Sequence, residues 1–241
     1  MRPSPHRLSA WRAHSWRRLY PCAVSDLIAS AALRYAEQHT SPFGGSLGVA
    51  AAWTQDNTSA PQMMSALAEA RLLEALIVVG GARHVLEIGT FTGVGALSMA
   101  AALPSGGTVT TLEVDPEIAA VARRHIDASP HGHRVELIVG DALDTIAGLD
   151  GPFDLVYMDA WKADYPAYYD AVAPKLAERG VIVADNLFRG GDALDSTAED
   201  EGTVGIRKFA TQVQLDVTVH NVLLTIGDGV MLAWRCPPGE H

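Results

Sequence analysis

The chain has 241 residues, with 28 acidic against 18 basic side chains and a formal charge of −10, a length suited to one large α/β domain with a substantial core. That charge balance disfavours a long phosphate-tracking surface, so nucleic acid is not an expected partner; no apolar stretch reaches transmembrane length, so no membrane is expected either. Cys22 and Cys236 stand near opposite ends without metal-type spacing and point to a reducing compartment, hence a cytoplasmic location.

Residues 1–23 carry five arginines, two tryptophans and no acid. They lack the apolar core of a secretory signal, and a poorly ordered extension is expected, with a single domain running from residue 24 to 241. The spacing of Leu27, Ile28, Ala31, Leu33 and Tyr35 predicts a short helix from Ser25 to about Gln38, an amino-terminal helical cap. Ser41 to Ser59 contains Pro42, Gly44, Gly45 and Gly48 and reads as an irregular connector, with Trp53 as its anchor or as part of a substrate wall. Met64 to Leu76 predicts a second amphipathic helix, separated by Gly80-Gly81 from the first strand.

Residues 84 to 115 organise the rest. A β-branched run carries Glu87 at its end and turns through Gly89, Thr90, Gly93 and Gly95 into an Ala- and Leu-rich helix, after which a second strand ends on Glu113. Glycine lets a ligand approach the backbone, and the helix start offers unpaired N–H groups to an anion. An acid ending the second strand can accept from both hydroxyls of a ribose. The unit suggests a nucleoside-containing ligand, but the dinucleotide fingerprint G-x-G-x-x-G is absent.

Further on, a helix is predicted from Pro116 to Ala128, and His125, His131 and His133 read as a solvated loop region rather than a metal site. Strands follow at Val135–Val139 before Asp141-Ala142, at Phe153–Met158 before Asp159, and at Val181–Ala184 before Asp185-Asn186. Five acids, Glu87, Glu113, Asp141, Asp159 and Asp185, thus stand at the carboxyl ends of their strands, which share one rim in an open parallel sheet. The polar, acidic stretch from Gly190 to Gly202 predicts a mobile loop. A helix around Val204–Gln212 and strands at Val217–Thr225 and Val230–Trp234 complete the chain. The fold class is α/β: a doubly wound, mostly parallel sheet with a carboxyl-terminal antiparallel hairpin.

Three stretches, L-E-I-G-T-F-T-G-V-G-A-L from Leu86, D-A-x-K-x-x-Y from Asp159 and V-x-V-x-D-N from Val181, resemble those of class I S-adenosylmethionine-dependent, metal-dependent O-methyltransferases of the catechol and caffeoyl-CoA type. The similarity runs from about Met63 to Trp234. It implies a Rossmann-like methyltransferase sheet in which Glu113 holds the ribose, Glu87, Gly89 and Thr90 in the Gly93–Gly95 loop hold the amino-acid end, and Asp141 and Ala142 hold the adenine. Ser65 falls in the segment that covers the methyl donor. Asp159, Asp185 and Asn186 would bind the metal, Asp159 also touching the cofactor, and Lys162 would be the base. A homodimer is expected on the same grounds.

Residue chemistry agrees with this assignment. Two carboxylates and an amide form a hard, all-oxygen set suited to Mg²⁺ or another divalent cation. Lys162 is one of only three lysines against fifteen arginines, and arginine could not usefully deprotonate. The chain departs from the family at Val94-Gly95, where a Tyr-Ser pair is usual, so the cofactor carboxylate must be met by backbone N–H groups or water. It departs again at Ala70-Arg71, where Gly-Gln is usual. Trp161 is read either as a wall of the site or as a buried structural residue. The implied function is methyl transfer from S-adenosylmethionine to a hydroxyl of a small vicinal-diol or catechol-like acceptor. Methylation of a hydroxylated tRNA base and a nicotinamide-dependent oxidoreductase are the alternatives.

Overall fold

The computed structural model describes residues 26–236, so the arginine-rich extension and Cys22 lie outside the described residues. The chain divides after His39 into two units. The first contributes helix α1 (Asp26–Gln38), as the apolar spacing predicts. Everything below belongs to the second unit, from Thr40 onward.

This unit opens with α2 (Gly45–Asn57) and α3 (Leu67–Gly80). Five parallel strands follow: β1 (His84–Ile88), β2 (Thr108–Glu113), β3 (Val135–Val139), β4 (Phe153–Met158) and β5 (Leu176–Ala184). Helices α4 (Val94–Ala102), α5 (Pro116–Asp127), α6 (Ala142–Gly148) and α7 (Tyr165–Val172) connect them. Helix α8 (Glu201–Leu215) then leads to strands β6 (Val219–Leu224) and β7 (Val230–Arg235). The sheet order is β3-β2-β1-β4-β5-β7-β6, parallel through β5 and antiparallel from β7. Strand order reverses between β1 and β4, and the crevice beyond the carboxyl ends of strands at such a point is where open α/β sheets bind ligands.

Alternation along each strand builds two cores. Val85, Val109, Leu155 and Tyr157 face α3, α4 and α5 through Leu73, Ile77, Leu97 and Ile126. Leu86, Ile88, Val156 and Ile182 face the other way onto Ile146, Tyr165, Phe209 and Val213 of α6, α7 and α8. The near-continuous apolar runs of the central strands follow from this coverage of both faces. Asp115, Asp141 and Asp200 each cap the helix that follows, accepting from its first N–H groups.

Three expectations change. The connector from Ser41 to Ser59 is mostly helix α2, because Leu47 to Trp53 supplies good helix formers. Burial of Ala50 and Thr54 offsets the propensity cost of Gly48, about 1 kcal/mol relative to alanine. Strand β5 begins five residues earlier than Val181, the exposed Glu178 and Arg179 lying at a register shift rather than in a turn. The stretch read as a loop holds short helical pieces: Arg189–Leu194 contains 3₁₀ turns kinked at Gly190 and Gly191, and the Arg207 guanidinium donates to the carbonyls of Asp192, Ala193, Asp195 and Ala198.

Candidate active site

The carboxyl ends of β1, β2, β4 and β5 open into a cavity of about 1350 Å³. Of the residues singled out from the sequence, Ser65, Glu87, Gly89, Thr90, Gly95, Glu113, Asp141, Ala142, Asp159, Lys162, Asp185 and Asn186 all line it. Gly93 does not. It takes a left-handed φ of 88° at the start of α4, with its α-carbon turned toward Ala122 of α5, so it shapes the loop from behind.

One end of the cavity is built by the glycine loop. Gly89 must be glycine: its φ is 100°, and a Cβ would lie 2.1 Å from the Asp159 carbonyl oxygen, where β1 and β4 end side by side. Both Glu113 oxygens accept backbone N–H groups, from Phe91 at 2.8 Å and Asp115 at 3.0 Å. The carboxylate is thereby fixed with lone pairs left for a ligand's hydroxyls. The Asp141 carboxylate is committed to capping α6, accepting from Leu143 and Asp144.

Parallel register sets Thr111, Glu87 and Tyr157 side by side on one face of the sheet. The Thr111 hydroxyl donates to Glu87 at 2.5 Å and lies 2.6 Å from the Thr90 hydroxyl. Glu87 is 1 % exposed, and burial pushes its carboxyl up to about 8 against the lowering effect of Thr111, with the Asp159 and Glu113 charges adding to the rise. The usual serine at position 95 would require the Glu87 carboxyl to shift. A Cβ on Gly95 would lie 2.4 Å from Glu87 Oε1 and 3.2 Å from Ser65 Oγ, so glycine admits the buried glutamate.

At the other end Lys162, 8 % exposed, donates to Asp159 Oδ1 at 2.7 Å and to the Tyr165 hydroxyl at 2.8 Å. Tyr165 in turn donates to the Met158 carbonyl. Asp185 is 2 % exposed; burial, then the Asp159 and Glu69 charges, push its carboxyl up to about 8, opposed by Lys162. Asn186 follows in a left-handed conformation, φ 59°, its N–H bonded to Asp185 Oδ1 at 2.6 Å. The Tyr157 hydroxyl reaches Asp185 at 3.2 Å, or Asp159 and Ser65 at 3.4 Å.

Asp159, Asp185 and Asn186 supply two carboxylates and an amide. Among the described residues no group of three His, Cys, Asp or Glu side chains converges as a metal site, so a cation here would complete its shell with water or substrate oxygens. Burial, with the Asp159 and Glu69 charges, disfavours the ionised Asp185 carboxylate, a cost that a cation among these oxygens would offset.

The sequence reading missed Glu69, Arg189 and Asp228, which also line the cavity, and Tyr157 behind them, whose hydroxyl reaches Ser65, Asp159 and Asp185; it assigned Tyr165 no task. Register with Glu87 could have found Tyr157; Glu69 and Asp228 arrive through tertiary packing alone. Trp161 is 61 % exposed at the cavity mouth, which overturns its reading as a buried structural residue. Trp53 lines the cavity and meets the His125 ring edge-on at 5.1 Å. His125 sits in α5, within the helix predicted from Pro116 to Ala128, its Nδ1 2.9 Å from the Thr92 carbonyl oxygen.

A family model described as O-methyltransferase matches residues 49–236. A catechol O-methyltransferase of Niastella koreensis is 35 % identical over 175 residues, covering 68 % of this chain and 79 % of that protein. A catechol O-methyltransferase of Mycobacterium tuberculosis is 40 % identical over 161 residues, covering 66 % and 72 %. Among solved structures, the O-methyltransferase TomG of Streptomyces achromogenes, in complex with S-adenosylmethionine, superposes with a TM-score of 0.79 at 30 % identity, covering 86 % of this chain and 96 % of that one. An O-methyltransferase of Bacillus cereus in complex with S-adenosylhomocysteine gives 0.78 at 30 % identity, covering 86 % and 97 %.

Proposed function

The chain belongs to the O-methyltransferase family of S-adenosylmethionine-dependent enzymes, and from that premise we propose that it methylates a hydroxyl of a small catechol-like acceptor with the help of a divalent cation. The observation that carries the reading is the sharing of one cavity by a ribose-type carboxylate, Glu113, and the group Lys162, Asp159, Asp185 and Asn186. The nicotinamide alternative is set aside by the family assignment. An acidic cavity, whose lining has Lys162 and Arg189 as its only cationic side chains among the described residues, speaks for a small molecule over tRNA.

In this proposal Glu113 holds the ribose, Glu87 and the Gly89–Gly95 loop the amino-acid end, and the segment at Asp141 and Ala142 the adenine. Ser65 stands over the cofactor's amino-acid end, and Asp159 serves cofactor and cation together. Asp159, Asp185 and Asn186 would hold Mg²⁺, or another divalent cation, which when bound gathers two adjacent oxygens of the acceptor and lowers the pKa of one.

Lys162 handles the proton. A neutral amine can donate one N–H to Asp159 and one to Tyr165 while its lone pair stays free to take the acceptor's hydroxyl proton. The acceptor oxygen then forms its bond to the methyl carbon as the sulfur–carbon bond breaks. A methyl ether, S-adenosylhomocysteine and a protonated Lys162 result. The outer edge of β6, with Val222 and Leu223 exposed, suits the homodimer that we include in the proposal.

The test is mass spectrometry of catechol, 3,4-dihydroxybenzoate and hydroxylated tRNA incubated with protein and methyl donor, with chelator and with Mg²⁺ restored. A gain of one methyl on the diphenols, lost with chelator and regained with Mg²⁺, is expected. Chelator-resistant turnover, or methylation of tRNA alone, would refute the proposal.

A further inference from the structure

Tyr157, near the end of β4, is 1 % exposed and belongs to the same core as Val85, Leu155 and Val183, and the mechanism above gives it no task. For packing alone phenylalanine would serve. A buried hydroxyl is costly unless it is hydrogen-bonded, so the partners it meets distinguish the tyrosine from a mere core residue.

Register determines those partners. Tyr157 stands beside Val183 of β5, and residues two apart on a strand share a face, so Asp159 follows Tyr157 and Asp185 follows Val183 on the same side. The ladder continues through both acids, the Asp159 N–H donating to the Ile88 carbonyl and the Asp185 N–H to that of Met158. The ring therefore carries its hydroxyl to a point behind both carboxylates: 3.2 Å from Asp185 Oδ2, 3.4 Å from Asp159 Oδ2 and 3.4 Å from Ser65 Oγ. The Oδ1 atom of each acid is held elsewhere, that of Asp159 by Lys162 at 2.7 Å and that of Asp185 by the Asn186 N–H at 2.6 Å. The second oxygens of both acids thus converge on one hydroxyl, whose single proton serves the nearer, Asp185. Each oxygen keeps a lone pair for a cation.

We propose that Tyr157 is a positioning residue for the cation site: its hydroxyl holds Asp185 Oδ2 from behind and so sets the spacing of Asp185 from Asp159. This rests on the reading of Asp159 and Asp185 as cation ligands. Groups that hydrogen-bond to a metal ligand orient it, and their loss typically weakens metal binding about 10- to 100-fold.

The experiment is calorimetric titration of Mn²⁺ into the metal-free full chain, with S-adenosylhomocysteine affinity measured alongside. Tyr157→Phe keeps the ring and removes the hydroxyl. Its Mn²⁺ Kd should rise at least about tenfold, with cofactor-product affinity little changed; a packing role would not move Mn²⁺ binding alone. 3-Fluorotyrosine installed in place of Tyr157 keeps the hydroxyl and should bind Mn²⁺ within about threefold of the parent, as a retained outer contact requires. Its fluorine resonance should shift on addition of Mg²⁺, a reading that carries the test if Tyr157→Phe does not fold.

Unchanged Mn²⁺ affinity in Tyr157→Phe would overturn the inference, as would a fluorine resonance unmoved by saturating Mg²⁺ where only the fluorinated protein folds. Equal losses of Mn²⁺ affinity in the phenylalanine and fluorotyrosine proteins would also overturn it, because the effect would then belong to the ring and not to the hydroxyl. So would an equal loss of Mn²⁺ and S-adenosylhomocysteine affinity in Tyr157→Phe, by reducing the effect to a general disturbance of the cavity. Failure of the parent protein to bind Mn²⁺ would overturn this inference and the cation-dependent mechanism together. Binding by the parent without a loss in Tyr157→Phe would overturn the inference alone.

Discussion

Two residues set the chemistry's dependence on pH. Glu87 keeps a proton up to about pH 8 in the folded protein, against an ordinary value of 4.5. The folded state therefore binds a proton that the unfolded chain releases above pH 4.5, so this stabilisation is present at low pH and is lost as pH rises toward 8. Thermal melts of the cofactor- and metal-free protein at about pH 5, 6, 7 and 8, set points spanning that window, should show a falling midpoint. Glu87→Gln should flatten part of the slope, Asp185 retaining the rest; an unaltered slope in that variant would contradict the assignment. Lys162 bears on turnover. Lys162→Ala should lower kcat by about 10²- to 10⁴-fold at neutral pH with partial recovery in alkali, where the acceptor hydroxyl ionises unaided. Lys162→Arg should not restore it, since a guanidinium keeps the ion pair with Asp159 but cannot release its proton. Initial rates at saturating acceptor decide the matter, and full activity of either variant would remove Lys162 from the proton path.

Among the elements, those with strong periodicity were legible from the sequence and those held by distant contacts were not. Strand β4 begins and ends where its apolar run does, because a strand buried on both faces has little freedom in composition, and strand β3 was legible from its β-branched run bounded by Gly140. Helix α2 was hidden behind the glycines at its start, and the fold of 189–200 depends on one arginine two turns into α8. Arg207→Ala should destabilise the protein by about 1–3 kcal/mol, since it strips a charged donor from four carbonyls. Differential scanning calorimetry should register this as a lower melting midpoint, and limited proteolysis should cut faster between Asp192 and Asp200. An unchanged midpoint with unchanged cutting would show that other contacts hold this segment in place.

For the molecule as a whole, sheet order converts separate motifs into one site. Glu113 and Asp185 are 72 positions apart in the chain, yet β2, β1, β4 and β5 lie in sequence across the sheet with their carboxyl ends on one rim. The amino-acid sequence by itself determined the α/β class, the parallel strands, the antiparallel end and the strand-end acids of the cavity, from Glu87 to Asp185. It could do so because two-fold alternation, turn glycines and strand-end acids are local signals whose meaning does not depend on what packs against them. Tertiary structure alone decided that Gly95 lies against Glu87, that Trp161 stands exposed at the mouth, and that Glu69 lies beneath Gly227. Those outcomes depend on close contact between side chains far apart in sequence, and on the desolvation that such contact imposes, for which no local pattern exists.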